Sequence, residues 1–486
     1  MRSIPRRQFL KTSAAAGVAW SLPAASFGRV IGANDELRVA CVGLRGRGND
    51  LLKGFMAQKG VRIVALCDVD AKVLESRAAE VVKSGTTPDL VKDLRAVLDR
   101  KDVDTVVIAT PNHWHALQGI WAVQAGKDVY VEKPVSHNVW EGRQLVKAAR
   151  KHGRIVQTGT QSRSSPSLKE AVAFVRAGNL GQIVCVRGLC YKPRQSIGKV
   201  EAPTLIPEHI DYDLWCGPAP KNPLSRKNLH YDWHWVFDTG NGDLGNQGIH
   251  QMDIARWFLG EKQLSSEVIS IGGRVGYQDD GNTPNTQIVF HRFASAPLIF
   301  EVRGLPSRKE HQGGEWGRNM DSFLGASIGV IVHCESGYLS VPSYTSADAF
   351  DLQGNKVKSF EGGGDHIENF VAAVKSRRRE DLNADIEEGH LSSALCHTGN
   401  VSYLLGKPAS RSEMRAAIGA NLLLSEAFGR MEAHLASNLL DFEKDGVRLG
   451  RTLRMDSAAE RVLGDEQASR LLTREYRSPF VVSDVA

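Results

Sequence analysis

The chain has 486 residues, of which 42% are hydrophobic and 24% are charged, a composition typical of an ordinary globular protein with room for two or three domains. Its formal net charge is +6, but five of the 61 basic residues and no acidic residue fall in residues 1–33, which leaves 56 basic against 55 acidic residues in the rest. A nearly neutral body excludes the basic surface that nucleic-acid binding requires, so we expect no nucleic-acid partner.

Residues 1–33 have the pattern of an export signal. Residues 6–11 (RRQFLK) match the twin-arginine motif, an apolar run extends to Leu22, and small residues follow at 24–26. The apolar run is too short to cross a bilayer, so we expect no stable membrane span. The sequence therefore predicts export by the twin-arginine route to the periplasm, with signal cleavage between residues 25 and 34.

The seven cysteines are odd in number and show no Cys-x-x-Cys spacing. Cys41 and Cys67 fall in apolar strand patterns, which predicts buried free thiols. This fits a route that exports proteins already folded in a reducing cytoplasm. Cys185 and Cys190 are close in sequence, and a disulfide between them stays open as an alternative.

Residues 35–158 show repeated strand and helix patterns, typical of a parallel sheet. An apolar strand at 37–42 runs into a glycine-rich loop, a helix is predicted from Asn49 to about Lys59, and a second strand covers 61–67. Asp68 ends that second strand. The order of strand, glycine loop, helix, strand and acid is that of a dinucleotide-binding unit.

The loop and the acid together predict a site for NAD. Glycines let the backbone approach a pyrophosphate, and the helix N-terminus supplies N–H groups and partial positive charge. Asp68 would accept hydrogen bonds from the adenosine ribose and repel a 2′-phosphate, which favours NAD over NADP. Arg45 stands where a second glycine is usual, and Arg45 and Arg47 could still reach phosphates. The alternative is a structural turn with a solvated aspartate. The predicted cofactor-binding residues here are Gly43, Arg45, Gly46, Gly48 and Asp68.

Two more strand patterns, at residues 103–109 and 129–131, each end in polar residues. Ligands of open α/β sheets lie beyond the carboxyl ends of strands, so these residues are predicted to line the reactive end of the cofactor, although a plain helix start and a surface turn are the alternatives. His113 and His115, two residues apart with no nearby Cys or carboxylate, make a poor zinc site, so no metal is predicted. The residues predicted to contact the cofactor here are Thr110, Asn112, His115, Glu132 and Lys133.

These motifs resemble the Gfo/Idh/MocA family of glucose–fructose oxidoreductase, inositol dehydrogenase and rhizopine-catabolism proteins. The resemblance rests on the loop at 43–48, Asp68, residues 109–115 (ATPNHWH) and Glu132-Lys133-Pro134. It implies an α/β protein with an N-terminal Rossmann domain, a doubly wound parallel sheet, and a C-terminal α/β domain with an open, mainly antiparallel sheet. That sheet often forms the subunit interface in the family, which implies a homo-oligomer.

The resemblance also implies how the chain is divided. Residues 35–158 would bind NAD, residues 159–430 would form the substrate and oligomerisation domain, and residues 431–486 look like an extension without assigned chemistry. Apolar patterns support strands at 183–189, 287–293 and 299–303. The tail pattern predicts helices at 366–377 and 389–405, followed by one that ends near Phe428 with Ser412 as its N-cap.

Residues 240–250 resemble the family's glycine-rich segment, in which an aspartate and a histidine four residues later face the substrate. His250 aligns with the catalytic histidine, while Asn246 occupies the aspartate position. Asparagine can bind a hydroxyl but cannot carry the charge that would tune the histidine. A helix-start histidine with a purely structural role is the alternative for His250.

Polar and aromatic residues between these motifs suit a sugar or polyol, which has apolar C–H faces and many oxygens. Each aromatic residue alone would more often belong to a core than to a ligand wall, and the clustering favours the wall. The predicted substrate-binding residues are Gln161, Arg163, Tyr191, Lys192, Trp235, Asn246 and His250.

The predicted reaction is hydride transfer from a sugar, cyclitol or glycoside hydroxyl, with His250 as general base and Lys133 polarising the same oxygen. Glu132 would orient Lys133 or the nicotinamide ribose. An exported enzyme has no dependable pool of free NAD, so the cofactor is expected to be retained and returned to its starting state in each cycle. Paired oxidation and reduction of two sugars does this, and so does an NAD-dependent glycosidase that works by transient oxidation and elimination. A non-catalytic exported sugar-binding protein on the same fold is the third alternative.

Overall fold

The computed structural model describes residues 36–313 and 316–485, so the predicted export signal lies outside the described residues. Within them, six parallel strands form the first sheet in the order β3-β2-β1-β4-β5-β6. The strand order reverses between β1 and β4, which places a crevice at the carboxyl ends of these two strands. The strands are β1 Leu37–Val42, β2 Val61–Cys67, β3 Asp89–Val91, β4 Thr105–Ile108, β5 Asp128–Val131 and β6 Val156–Thr158.

Helices cover both faces of this sheet, which confirms the doubly wound Rossmann prediction. One of them begins earlier than the predicted start at Asn49. The first begins at Arg47, because Gly46 has a φ of +46° and turns the chain directly into the helix. The fourth begins at Asn112, after Pro111. The helices are α1 Arg47–Met56, α2 Ala71–Lys83, α3 Arg95–Leu98, α4 Asn112–Gln124 and α5 Val139–Lys151.

A second sheet in the C-terminal half is mixed and mostly antiparallel. Its main run has the order β14-β13-β12-β11-β7-β10-β9-β8, in which β7 and β10 are parallel. Short strands β15 to β18 extend it at the β8 edge. The strands are β7 Ile183–Tyr191, β8 Glu267–Gly273, β9 Thr286–Arg292, β10 Leu298–Arg303, β11 Ile328–Cys334, β12 Gly337–Val341, β13 Ser346–Asp351, β14 Lys356–Glu361, β15 Lys407–Pro408, β16 Arg448–Leu449, β17 Leu453–Asp456 and β18 Arg461–Val462.

Helices pack on both faces of the second sheet as well. One face packs against α6, α9 and α11, and the other face, over β8 to β10, packs against α12 and α13. A further helix, α10, packs on the first sheet beside Phe55 and Tyr130. The helices are α6 Pro166–Arg176, α7 Tyr212–Cys216, α8 Gly242–Asn246, α9 Gly248–Leu259, α10 His366–Ser376, α11 Ile386–Leu404, α12 Arg411–Ile418, α13 Leu422–Ser437 and α14 Glu466–Arg470.

The tail differs from its predicted form. The single helix expected to end near Phe428 is two helices, α12 and α13, and the N-cap of α12 is Ser410 and not Ser412. Ser410 accepts a hydrogen bond from the Glu413 N–H while the Glu413 side chain binds the Ser410 N–H, a capping box that Ser412 is too close to Glu413 to make. These helices cover the β8–β10 part of this face of the second sheet.

All seven cysteines are buried free thiols. Cys185 and Cys190 lie in β7 and are five residues apart, so their side chains point to opposite faces of the sheet. They belong to different core clusters, which rules out the alternative disulfide between them. Over the described ranges, no helix combines the length and the apolar character needed to cross a membrane.

Residues 204–235, here called the strap, cross from the second sheet to the first domain. Two backbone hydrogen bonds tie the strap to the end of β2, from Ala71 N–H to His209 O at 2.9 Å and from Asp211 N–H to Val69 O at 3.0 Å. The Trp114 indole donates to Leu214 O at 3.0 Å. The strap therefore lies across the carboxyl edge of the parallel sheet.

The C-terminal tail holds the strap from the other side. Arg477 donates to Gly217 O at 2.9 Å and to the Asp213 carboxylate at 2.8 Å. Phe480 packs on Trp114, with ring centroids 5.3 Å apart. The extension thus completes the core of the first domain and fixes the strap.

Candidate active site

A cleft with a volume of about 490 Å³ lies between the carboxyl edge of the parallel sheet, the strap and the start of the second domain. It includes the residues predicted for the loop, for the end of β2 and for the two polar segments that follow β4 and β5, apart from Gly48. Among its lining residues are Gly43, Arg45, Gly46, Arg47, Asp68, Thr110, Asn112, His115, Glu132, Lys133 and Asn246.

The glycine loop has the form of an anion cradle. Gly43 has a φ of +76°, and a Cβ there would lie 2.7 Å from the backbone of Ala109 and Thr110. Gly48 packs so closely that a Cβ would lie 1.8 Å from Gly43 O, whereas a Cβ at Gly46 would meet open space. Gly48 therefore serves close packing within the loop, and Gly46 leaves the N-terminus of α1 open to a phosphate.

Asp68 is fixed at the end of β2 by two backbone donors. Its carboxylate accepts hydrogen bonds from Leu44 N–H at 2.8 Å and from Asp70 N–H at 3.0 Å. Burial raises the pKa of this carboxyl above its ordinary value, against the opposing effect of these two donors. Each carboxylate oxygen keeps a free lone pair, so Asp68 can still accept a ribose hydroxyl in the cleft.

Three residues of the cleft lining form hydrogen bonds with neighbouring protein groups: Thr110, Asn112 and His115. Thr110 Oγ1 donates to Gln118 Oε1 at 2.8 Å, and Asn112 Nδ2 donates to Asn241 Oδ1 at 3.0 Å. The two His115 ring nitrogens lie 2.6 Å from Thr110 O and from Pro134 O. These side chains shape the wall of the cleft and hold the segments after β4 and β5 together.

Glu132 and Lys133 have different partners. Glu132 Oε1 accepts from Arg47 Nε at 2.9 Å, and its other oxygen accepts from Lys133 N–H at 3.2 Å. Lys133 Nζ donates to Asn246 O at 3.1 Å. Glu132 therefore fixes the Lys133 backbone and the Arg47 guanidinium, and the Lys133 ammonium is positioned by the second domain.

His250 lies in the first turn of α9, four residues after Asn246, and is not among the residues that line the cleft. Its ring Nδ1 is buried without a hydrogen-bond partner among the described residues, and the ring lies 4.9 Å from that of Tyr344. Burial lowers the pKa of His250 well below its ordinary value, and the positive charges of Lys133, Arg47 and Lys192 lower it further. His250 is therefore held as a neutral base.

Asn246 ends α8, four residues before His250, and its side chain lines the cleft. The acid nearest to it in sequence, Asp243, is held by Arg194 through hydrogen bonds of 2.8 and 2.9 Å. The backbone carbonyl of Asn246 accepts a hydrogen bond from Lys133 Nζ, so Asn246 positions that ammonium.

Of the seven predicted substrate residues, Asn246 is among those that line the cleft and the other six are not. Lys192 and His250 lie with Asn246 in the second domain, and the remaining four have other partners. Arg163 is 5% exposed and binds the Asp253 carboxylate at 2.8 Å, so it is a buried structural ion pair. Tyr191 faces the opposite side of the second sheet and donates to Glu301 at 2.8 Å. Trp235 is buried under Arg194. Gln161 lies beside Arg47 in a separate shallow depression.

Sequence reasoning missed several residues of the cleft wall. The strap contributes aromatic and imidazole rings, and α4 contributes Trp114, Gln118 and Trp121. The aromatic residues at 231–235 were a signal for this wall, but Trp235 was the one member of the run that was predicted to bind substrate. The strap residues that line the cleft are Leu214, Trp215, Asn228, His230, Tyr231, Trp233 and His234.

Comparisons with known proteins agree with this geometry. A model for the Gfo/Idh/MocA oxidoreductase family, NAD-binding Rossmann fold, matches residues 37–160, and the model for its C-terminal alpha/beta domain matches residues 180–299. Together the two matches cover about half of the chain.

Two curated relatives and one solved structure are similar to parts of the chain. A glycosyl hydrolase family 109 protein of Saccharopolyspora erythraea is 32% identical over 203 residues, which is 37% of this chain and 44% of the relative. A levoglucosan dehydrogenase of Pseudarthrobacter phenanthrenivorans is 28% identical over 196 residues, 40% of this chain and 42% of the relative. The chain thus spans less than half of the length of these relatives. The WlbA dehydrogenase from Bordetella pertussis, in complex with NADH and UDP-GlcNAcA, has a TM-score of 0.54 at 18% identity and covers 74% of this chain and 94% of its own.

Proposed function

Because this chain belongs to the Gfo/Idh/MocA oxidoreductase family, we propose that it is an NAD(P)-dependent oxidoreductase that acts on a hydroxyl of a sugar, cyclitol or glycoside. The observation that carries the proposal is the contact of Lys133 with the second domain at the nucleotide cleft. Lys133 lines the cleft and donates from Nζ to Asn246 O at 3.1 Å, four residues before the buried His250, whose pKa the lysine charge helps to lower.

The residues of the cleft fit a dinucleotide. The open N-terminus of α1 suits its pyrophosphate, and Asp68 at the end of β2 suits its ribose. When bound, the nicotinamide supplies the two-electron redox chemistry. Residues of the glycine loop and of the strap, which line the same cleft, would hold this group.

Two side chains act on the substrate hydroxyl, one on its proton and one on the negative charge that develops on its oxygen. His250 accepts the proton of the substrate hydroxyl, since burial keeps its imidazole neutral. Lys133 donates a hydrogen bond to the same oxygen and stabilises its negative charge, where fixed electrostatics has the largest effect. Glu132 and Asn246 position Lys133 through its backbone N–H and its ammonium.

We also propose that the protein is exported to the periplasm by the twin-arginine route and that it keeps its cofactor through each cycle. The motif at residues 6–11 supports export. Retention is supported by the strap, which lines the cleft and is tied to β2, to Trp114 and to the C-terminal tail. The proposed chemistry is therefore one that restores the cofactor, led by paired oxidation and reduction of two sugars.

The alternative of oxidation followed by elimination is favoured by one comparison. The relative from Saccharopolyspora erythraea is described as a glycosyl hydrolase. A glycosidase of this kind would use His250 and Lys133 in the same way during the oxidation step. It would differ in releasing an aglycone from a glycoside, whereas the paired reaction releases an oxidised sugar.

We expect purified protein to carry a dinucleotide through dialysis and to change its redox state when sugars and glycosides are added. Mass spectrometry after denaturation identifies the dinucleotide, and nicotinamide absorbance follows the redox change. Released aglycone separates the glycosidase from the paired reaction. Protein that carries a dinucleotide but shows no redox change with any sugar would support the non-catalytic sugar-binding alternative, and protein without nicotinamide would contradict retention.

The strap gives this experiment an internal control. Arg477→Ala removes the hydrogen bonds to Asp213 and Gly217, and charge-assisted bonds of this kind lead us to expect roughly tenfold faster loss of dinucleotide. Arg470→Ala changes an exposed arginine of the same tail and should leave the rate unchanged. Equal rates for the two variants would show that the strap does not retain the cofactor.

Asp68→Asn is expected to weaken NAD binding and to narrow the preference for NAD over NADP. The amide keeps the shape of the side chain but removes the charge that repels a 2′-phosphate, so the discrimination ratio should fall roughly tenfold. Calorimetric titration of both dinucleotides into stripped protein measures the ratio. Asp89→Asn, at an exposed position in β3, is the matched control. An unchanged ratio would show that Asp68 does not choose between the cofactors.

A further inference from the structure

The region around Lys133 and His250 contains more positively charged side chains than carboxylates that pair with them. Arg47 is paired with Glu132 at 2.9 Å, and Arg194 is paired with Asp243 at 2.8 Å. Lys133 donates to Asn246 O, a neutral carbonyl. Among the described residues no carboxylate forms an ion pair with Lys133.

Lys192 is a second cation near His250 that forms no ion pair with a carboxylate among the described residues. It follows β7, next to Tyr191, but the alternation of a strand turns it to the side of α9. Its Nζ donates to Gln247 Oε1 at 2.7 Å, and Gln247 Nε2 donates to the Tyr344 hydroxyl at 2.6 Å. Tyr344 in turn lies against His250.

Lys192 is therefore a half-buried ammonium beside the proposed general base, held by a neutral amide. Gln247 and Tyr344 connect it to His250, whose ring lies 4.9 Å from that of Tyr344, and its charge contributes to the lowered pKa of His250. The carboxylate that acts on Lys192, Asp243, is already bound by Arg194 through two hydrogen bonds, so a bound anion would lower the cost of burying this ammonium. The pyrophosphate of a dinucleotide is not this anion, because the glycine loop that would bind it belongs to the first domain, whereas Lys192 belongs to the second.

We propose that the substrate is an anionic sugar whose carboxylate or sulfate binds Lys192 while its reacting hydroxyl lies between Lys133 and His250. This inference rests on the proposed function and names the substrate class of the same site. Lys133 stabilises the negative charge that develops on the reacting oxygen. Lys192 binds the negatively charged group that the substrate already carries. Gln247 and Tyr344 hold Lys192 in place, and the amide and the hydroxyl can share hydrogen bonds with the anion.

The test compares sugars that differ in charge alone. D-Galacturonate with D-galactose, and D-glucuronate with D-glucose, are given to the protein with its bound cofactor, and galactose 6-sulfate distinguishes a sulfate site from a carboxylate site. Calorimetry measures binding and nicotinamide absorbance measures turnover. We expect the anionic member of a pair to have a kcat/KM at least roughly tenfold higher, since a charged hydrogen-bonded pair is made only with that member.

Lys192→Met should remove this preference, chiefly by raising KM for the anionic sugar, when both sugars are compared at a pH above the acid limb of each protein. Lys192→Arg should keep the preference, because it keeps the charge. Lys199→Met, an exposed lysine in the segment that follows, is the matched control and should behave like the parent protein. Thermal unfolding verifies that each variant is folded.

The outcomes separate this inference from the proposed function. Oxidation of neutral sugars in preference to anionic ones, or a preference that survives in Lys192→Met, overturns the anionic substrate and leaves the oxidoreductase standing. Absence of any redox change overturns the oxidoreductase. In that case calorimetry still decides the inference, because anionic sugars must bind the parent protein more tightly than they bind Lys192→Met.

Discussion

Replacing Lys133 by methionine is expected to lower kcat/KM for sugar oxidation roughly 10²–10³-fold while the dinucleotide stays bound, because the variant loses the donor that stabilises charge on the reacting oxygen. The side chain keeps its length, and the one hydrogen bond it loses is to Asn246 O. The measurement is the single-turnover rate at which added sugar changes the absorbance of the bound cofactor.

Two comparisons distinguish a catalytic loss from a structural one. Lys133→Arg keeps a positive donor and should retain more activity than Lys133→Met. Thermal unfolding and the amount of bound dinucleotide should match the parent protein in both variants. If Lys133→Met turned over sugar as fast as the parent protein, Lys133 would have no part in the mechanism. The proposal that the cleft is catalytic would then lose its support.

His250→Gln is expected to lower kcat roughly 10²–10⁴-fold, the range for loss of a general base. Glutamine fills similar space and keeps hydrogen-bonding atoms, but it cannot take a proton at neutral pH. The variant should still bind both the cofactor and the sugar, so calorimetric affinities should change far less than turnover. A loss of binding equal to the loss of turnover would assign His250 to substrate recognition alone.

The pH dependence gives a second measurement for His250. Only the neutral imidazole accepts the proton, so activity is full above its pKa and falls as the pH drops through it. Burial and the charges of Lys133, Arg47 and Lys192 lower that pKa, so the acid limb of kcat/KM should lie below the ordinary histidine value of about 6.5. The limb should move to higher pH in Lys192→Met, since one of the charges that lower the pKa is gone. A limb that stays in place would show that another group titrates.

The local patterns of the first domain predicted its structure well. Strands β1 and β2 have the predicted bounds, and Asp68 follows β2 at the edge where a parallel sheet binds ligands. This succeeded because a buried parallel strand is a continuous apolar run and a glycine loop has a local backbone requirement, as Gly43 shows with its positive φ. Such signals are contained within a few neighbouring residues.

The positions of several predicted substrate residues depend on distant partners that the sequence pattern does not show. Arg163 was assigned to a substrate, but its partner Asp253 is 90 residues away and the pair is buried. Tyr191 and Lys192 were assigned to one site, although neighbours in a strand point to opposite faces and the sequence does not say which face is which. Trp235 was chosen from an aromatic run whose other members, Tyr231, Trp233 and His234, line the cleft.

Sequence patterns were sufficient to identify the family, the two sheets and the nucleotide loop, because each of these has a local or recurrent pattern, and they led to the proposal that Lys133 and His250 act together. Only the tertiary structure decided what surrounds that pair. It brought the strap over the cleft, fixed the strap with Arg477 from the tail, and left Lys192 with a neutral partner next to His250. The balance of charges in a site and the closure of a cleft both depend on contacts between residues that are far apart in the chain. These contacts form only when the chain folds.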